Sequence, residues 1–190
     1  MGTVNRDIAG IGRDDTSGLS QQKSQSINNT GDIIVATQSS IGTNLAALMW
    51  SNDGSATGSF TTTDVPSGYQ RIARKWRFEE NNSDVGNVVI SYPASALPVG
   101  FAGTLYMLVD TDGVFAAGAS PLAGIYNSST NTYDFTTNIA DGRWVSFAQL
   151  NSVTPVGPGG STGMVLWFKA NIGTNCTTNG CTINSWSDQS

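Results

Sequence analysis

Histidine is absent from this chain of 190 residues. Histidine is the usual base that activates a serine or cysteine nucleophile, and the sequence also lacks the Gly-x-Ser-x-Gly pattern of serine hydrolases. Glycosidases need only two carboxylic acids across a cleft, but acidic pairs such as Glu79 with Glu80 and Asp14 with Asp15 fall on opposite faces of a strand or in turns. The sequence therefore predicts a protein that is not an enzyme.

Basic residues are scarce. Nine Lys and Arg residues leave a net charge of −5, whereas a nucleic-acid-binding surface needs clustered positive charge. The one basic cluster, at residues 71–77, alternates in the manner of a half-buried strand. Its two predicted faces are Arg71, Lys75 and Arg77 towards solvent, and Ile72, Trp76 and Phe78 towards the core. We therefore predict no nucleic-acid partner.

Long apolar runs are also missing. None approaches the roughly 20 residues that a membrane-spanning helix needs, so no membrane insertion is predicted. The first residues, MGTVNR, contain no apolar core of a signal peptide. The expectation is a chain that is either cytosolic or a piece of a longer secreted precursor.

The only two cysteines, Cys176 and Cys181, enclose the sequence Thr-Thr-Asn-Gly. A disulfide can close across such a tight turn, in which Asn-Gly adopts positive φ at low cost. Free thiols, or a metal site completed by carboxylates or by a second chain, are the alternatives. A disulfide favours an oxidising compartment, so we expect an extracellular or cell-surface location.

The chain is rich in the residues that form strands and turns. It has 22 glycines and only 12% charged residues, and short apolar segments alternate with turn signals along most of its length. This spacing predicts an all-β fold, an antiparallel β-sandwich of jelly-roll or Ig-like type, over residues 1–154. Within it, residues 5–19 are interpreted as a bulged edge strand, and residues 71–80 and 86–92 as a hairpin.

The most apolar stretch of this region, residues 104–115, predicts a strand covered on both faces that ends in an acidic turn. Asp110 and Asp112 lie two residues apart, and Gly113 allows a sharp turn. This arrangement resembles the start of a hard-cation loop, which makes Ca²⁺ the candidate cofactor, although the bidentate Glu of an EF-hand is missing. The alternative is an ordinary Asx turn without an ion.

Residues 155–163 are rich in Pro and Gly and are predicted to be a linker. The remaining segment, residues 164–190, begins with an apolar strand formed by Met164, Val165, Leu166, Trp167 and Phe168. Because an isolated hairpin is marginally stable at best, this extra C-terminal strand segment must pack on the preceding domain or on another molecule. Addition to a neighbouring copy would make it an assembly strand, as in donor-strand filaments.

Several motifs resemble those of a β-sandwich module of unassigned function in very large secreted or surface proteins of marine and gliding bacteria. They are NRDIAGIGRDD at residues 5–15, RKWRFEE at 74–80, DVGNV at 84–88, LVDTDG at 108–113 and GRWVSFA at 142–148. The tail, with GMVLWFKA at 163–170 and WSDQS at 186–190, is similar to the first strands of a laminin-G-like, concanavalin-type domain. Most of that jelly roll is absent, and ANIG replaces the usual ADAG at 170–173. The resemblance implies an extracellular bacterial module with neighbouring modules as partners.

Two functions remain in competition: a structural or adhesive module that associates with itself or with neighbouring modules, and a carbohydrate-binding module with a glycan partner. Sugar binding at a surface normally uses exposed aromatic rings. All five tryptophans lie in strand-like patterns, which favours positions in the core. They are Trp50, Trp76, Trp144, Trp167 and Trp186. The sequence therefore favours the structural role.

Overall fold

A computed structural model describes residues 4–28, 31–81, 83–151 and 182. The chain divides into two compact units, Met1–Asn151 and Ser152–Ser190. All described residues except Thr182 belong to the first unit. The Pro/Gly linker, the assembly strand of residues 164–168 and the cysteine pair lie outside the described residues, so these three interpretations remain predictions.

The first unit is built from short strands and one turn of 3-10 helix (Ala94–Ala96). The strands are β1 (Arg6–Asp14), β2 (Leu19–Gln21), β3 (Lys23–Gln25), β4 (Ile34–Thr37), β5 (Ala47–Asn52), β6 (Phe60–Thr61), β7 (Tyr69–Ile72), β8 (Trp76–Asn81), β9 (Val88–Pro93), β10 (Tyr106–Asp110), β11 (Ser120–Ala123), β12 (Ile125–Asn127), β13 (Thr132–Thr137) and β14 (Trp144–Leu150). No helix in the described ranges is long and apolar enough to cross a bilayer.

Two antiparallel sheets form the fold. The larger sheet has nine strands in the order β11-β10-β14-β8-β5-β1-β2, with β7 paired to β14 and β6 to β7. The smaller sheet has five strands in the order β12-β13-β9-β4-β3. The predicted all-β antiparallel sandwich is therefore confirmed.

The chain passes directly from one sheet to the other at both sides of the sandwich. On one side β2 ends the larger sheet and β3 ends the smaller sheet, with Gln22 between them. On the other side β11 and β12 occupy the equivalent positions, separated by Gly124. A Cβ atom at Gly124 would lie 2.6 Å from Phe135 Cζ, so only glycine fits this corner without displacement.

Aromatic rings fill the space between the sheets. Phe147 of β14 lies at their centre, with ring centroids 5.2 Å from Trp76, 4.7 Å from Tyr92 and 5.4 Å from Phe135. Trp50 stacks on Phe78 at 6.1 Å. Such pairs add to the stabilisation that comes from removing large apolar surfaces from water.

Strand β10 explains the continuous apolar run at residues 105–109. Met107 belongs to the core between the sheets, whereas Leu108 points to the outer face of the larger sheet. There Leu108 packs with Phe115 and Ala148 in a second, smaller core that also contacts Trp144. Both faces of β10 are therefore covered, as the sequence predicted.

Three interpretations of strand arrangement were wrong in whole or in part. The basic segment is divided into β7 and β8 at residues 73–75, and Arg71 is 4% exposed rather than on a solvent face. The predicted hairpin does not exist, because β8 and β9 belong to different sheets. Strand β1 does contain the predicted bulge, between Arg6 and Ala9, but it is an edge only in part, because β2 pairs with its last residues, Gly12–Asp14.

Candidate functional site

The acidic turn after β10 is closed by its own side chains. Asp110 Oδ1 accepts hydrogen bonds from the backbone N–H groups of Asp112 at 2.8 Å and Gly113 at 2.7 Å. Asp112 Oδ1 accepts one from Val114 N at 2.8 Å. Burial disfavours the ionised form of Asp110, but these backbone donors outweigh it and lower the pKa of its carboxyl group. Asp110 is therefore a carboxylate at neutral pH.

The Ca²⁺ hypothesis for Asp110 and Asp112 remains a prediction. One oxygen of each carboxylate serves the Asx geometry of the turn. No group of three or more Asp, Glu, His or Cys side chains among the described residues has an arrangement suited to a metal ion. Calorimetry with millimolar Ca²⁺ tests the hypothesis, and the absence of binding heat together with unchanged melting on chelation would reject it.

A charged cluster fixes the loop that follows the turn. Asp64 Oδ2 accepts hydrogen bonds from Lys75 Nζ at 2.9 Å and Arg71 Nη2 at 3.1 Å, and Lys75 Nζ also donates to Gly113 O at 2.7 Å. The two cations lie over the ring of Phe115, 5.3 and 5.5 Å from its centroid. These contacts hold residues 111–119 against the outer face of the larger sheet.

A pocket of about 310 Å³ opens beside this turn. Its walls come from the end of β10, the start of β11 and the loop between β13 and β14, and no aromatic ring lines it. The lining residues are Val109, Asp110, Thr111, Gly118, Ser120, Thr137, Asn138, Ile139, Ala140 and Arg143. Gly118 leaves room beside the acid, since a Cβ atom there would lie 3.6 Å from Asp110 Oδ2. The lining of the pocket therefore includes both an acidic and a basic residue.

Arg143 is the cation of this pocket. Its backbone carbonyl accepts a hydrogen bond from Phe78 N at 2.8 Å, which fixes the main chain next to β14. Within the part of the chain that the structure describes, its guanidinium group forms neither a hydrogen bond nor an ion pair. A half-buried arginine without a partner provides several N–H donors in a fixed planar arrangement for an incoming anion.

A second polar cluster lies inside the sandwich. Asp32 is fully buried and accepts hydrogen bonds from Trp76 Nε1 at 2.6 Å, Ile33 N at 2.8 Å and Asn52 Nδ2 at 3.0 Å. Asn52 Nδ2 also donates to Asp7 Oδ2 at 2.9 Å. Burial raises the pKa of Asp32, and the hydrogen bond from Trp76 partly opposes that rise. Because it is enclosed, this cluster is structural.

Sequence reasoning identified Asp110 but not Arg143 as a site residue. Asp110 pairs with Trp144 where β10 lies beside β14, and Arg143 directly precedes Trp144. Only this strand pairing brings Arg143 near the acidic turn. Of the predicted core tryptophans, Trp50 and Trp76 are fully buried, as expected, and Trp144 is half-buried. The other two lie outside the described residues.

Comparison with protein families gives a match that covers most of the chain. Residues 2–143 match the family described as Domain of unknown function (DUF8202). No curated protein and no solved structure gives a significant match.

Proposed function

We propose that this chain, which belongs to the DUF8202 family, is a non-enzymatic structural or adhesive module of an extracellular bacterial surface or secreted protein. In this proposal it associates with copies of itself or with neighbouring modules through strand addition. The resemblance to modules of large bacterial surface proteins and the closely spaced cysteine pair support the location. The fold supports the role through two features, the use of its acidic residues and the character of one edge strand.

The half-buried and buried carboxylates serve the fold itself. Asp134 accepts hydrogen bonds from Ser91 at 2.7 Å, Asn127 at 3.0 Å and Thr132 at 2.7 Å. Asp32 and Asp64 are held by the clusters described above. A carboxylate held by several fixed donors is poorly suited to proton transfer, so these residues support a scaffold rather than a catalyst.

The observation that carries the assembly proposal is the character of β12. This edge strand pairs only with β13 among the described residues, and it exposes Ile125 at 76% and Tyr126 at 51%. The neighbouring edge strand β11 contains Pro121, which lacks an N–H group and discourages further pairing. An exposed apolar edge strand without proline or charge is a template for a strand from another chain. The apolar segment at residues 164–168 is our candidate for that strand.

Light scattering coupled to size-exclusion chromatography tests this proposal. We expect the full chain to assemble as its concentration rises, and both deletion of residues 157–190 and the substitution Ile125→Lys to abolish assembly. The lysine places a charge in the edge that would have to be buried on pairing. Val99→Lys is the matched control, because Val99 is 98% exposed but lies outside the strands.

Two results would reject the assembly proposal. One is a full chain that is monomeric at every concentration, and the other is assembly that persists after both the deletion and Ile125→Lys. Equal loss of assembly in Val99→Lys would show that added charge, rather than the β12 edge, is responsible.

A carbohydrate-binding role is the second candidate, and the pocket beside Asp110 favours it. The pocket is lined by Thr111, Ser120, Thr137 and Asn138, whose side chains carry hydroxyl or amide groups. Hydroxyl and amide groups both donate and accept hydrogen bonds, as sugar hydroxyls do. Specific signals on a glycan array would support this role over the structural one.

A further inference from the structure

We propose that the pocket between Asp110 and Arg143 binds one acidic monosaccharide unit, a uronic acid, with its carboxylate on Arg143. This inference rests on the second candidate function, carbohydrate binding, and specifies the class of sugar. It is independent of the assembly proposed for β12.

The volume of the pocket limits the ligand to a single small unit. Pockets that hold small molecules range from roughly 300 to 1,000 Å³, and the volume of this pocket, about 310 Å³, lies at the lower end. One sugar ring fits such a space, whereas a longer stretch of chain would have to lie outside it.

The lack of an aromatic lining argues against a neutral sugar. Neutral sugars usually gain much of their affinity by placing a ring face on an aromatic side chain. The residues that line this pocket offer no such surface, so affinity must come from hydrogen bonds and charge. Charge-assisted hydrogen bonds are the stronger kind, and a ligand that carries an anionic group can form them here.

Arg143 selects the anionic group. Its guanidinium group has no partner among the described residues, so an incoming carboxylate need not displace an existing ion pair. A planar guanidinium matches a carboxylate through two parallel N–H donors. The Arg143 side chain is therefore the anchor of the proposed site.

Asp110 provides a hydrogen-bond acceptor for the rest of the sugar. Its Oδ1 atom is already used by two backbone N–H groups of the turn, which leaves Oδ2 for the ligand. That oxygen can accept a hydrogen bond from a sugar hydroxyl. The surrounding Thr and Ser hydroxyls complete a site for a polyol with one negative charge.

Isothermal titration calorimetry of the full chain with glucuronate and glucose tests the inference, since the two sugars differ only at the carboxylate carbon. We expect glucuronate to bind and glucose to bind at least tenfold more weakly. Arg143→Gln should weaken glucuronate at least tenfold, as expected for loss of a charge-assisted pair. Its melting temperature should not change, because the Arg143 side chain makes no intrachain bond within the described residues. Arg13→Gln, outside the pocket, is the matched control and should bind normally.

Acetate and glycine complete the test. Equal affinity for acetate and glucuronate would overturn the inference, because the site would then recognise only an anion, and tighter binding of glycine would overturn it in favour of an amino acid. Equal affinity for glucose and glucuronate would overturn the acidic class while leaving carbohydrate binding intact. The inference would also be overturned if none of these ligands bound, or if Arg143→Gln bound glucuronate as tightly as the wild type. A glycan array that is positive for neutral sugars alone would still support the second candidate function, carbohydrate binding.

Discussion

Replacing Asp32 by Ala should test whether the buried polar cluster holds the two sheets together. Asp32 lies before β4 in the smaller sheet, and its principal donor, Trp76 Nε1, belongs to β8 in the larger sheet. Asn52 of β5 adds a second donor from the larger sheet. The carboxylate therefore joins the sheets by polar contacts within an otherwise apolar core.

The loss of stability can be worked out from these contacts. Removing the carboxylate leaves Trp76 Nε1 and Ile33 N without this acceptor, while Asn52 Nδ2 keeps its bond to Asp7. Each buried donor left unpaired costs roughly 1–3 kcal/mol. The substitution also relieves the cost of burying a charge, so we expect a net loss of about 2–4 kcal/mol. For a chain of this size, that corresponds to a fall in Tm of roughly 5–15 °C.

Urea unfolding followed by tryptophan fluorescence measures the loss. Asp15→Ala is the control, because Asp15 is exposed and its ion pair with Arg13 is solvent-screened, so no measurable change is expected. The double variant Asp32→Ala/Trp76→Phe should lose less stability than the sum of the two single variants. Trp76→Phe removes the indole N–H group, so Asp32→Ala no longer leaves that donor unpaired. Full additivity, or a loss below about 1 kcal/mol for Asp32→Ala, would refute the structural role of the cluster.

The effect should also depend on pH in a defined direction. Burial raises the pKa of Asp32, so ionisation costs more in the folded state than in the unfolded state. The associated stability is fully present below the unfolded-state pKa of about 3.9 and is lost as pH rises through the folded-state pKa. The difference in stability between wild type and Asp32→Ala should therefore be larger at acidic pH than at pH 7. A difference that grows from acid to neutral pH would contradict this assignment.

Three other substitutions probe the loop after β10. Gly113→Ala should lower the free energy of unfolding in urea by about 2–3 kcal/mol, because φ is +81° and a Cβ atom would lie 2.9 Å from a Trp144 ring atom. Gly42→Ala is the control and should be neutral, because a Cβ atom at Gly42 would lie in open space. Phe115→Ala should cost about 3–4 kcal/mol by emptying the second core, and a cost below 1 kcal/mol would show that the loop does not need it. Burial opposes ionisation of Asp64, but its hydrogen bond to Lys75 and the nearby cations outweigh burial and lower its pKa. The stability that this carboxylate contributes is therefore present above about pH 4 and is lost as pH falls through the folded-state pKa. Asp64→Asn should therefore destabilise the protein at pH 7 and approach wild type below pH 4, and a gap that persists in acid would contradict this.

Alternation and composition were sufficient to predict the class of the fold but not its connections. The continuous apolar run around Met107 and Leu108 predicted a strand covered on both faces, and each residue does enter a different core. The assumption that consecutive strands pair was less reliable. Strands β8 and β9 follow each other in sequence yet belong to different sheets, because the chain passes from one sheet to the other between them.

Charge patterns were misleading where a loop covers a sheet. Alternation around Arg71 predicted a solvent face, but residues 111–119 cover that face and bury the guanidinium group against Phe115. Arg71 remains charged in this position because Asp64 and the carbonyl groups of Ile72 and Ala73 accept its hydrogen bonds. A single sequence does not reveal that a distant loop returns to cover a basic strand.

The same loop explains why only half of the candidate pocket was visible in the sequence. Asp110 attracted attention because it ends an apolar run, and its turn chemistry is local. Arg143 lies 33 positions later, where the sequence indicates only the start of a strand. The antiparallel pairing of β10 with β14 brings the two residues to one pocket, and the loop from β13 closes its wall. Since the acidic residue is held by its own turn while the basic residue has no partner in the described chain, ligand selection depends on Arg143, and the substitution Arg143→Gln is the sharpest probe of this surface.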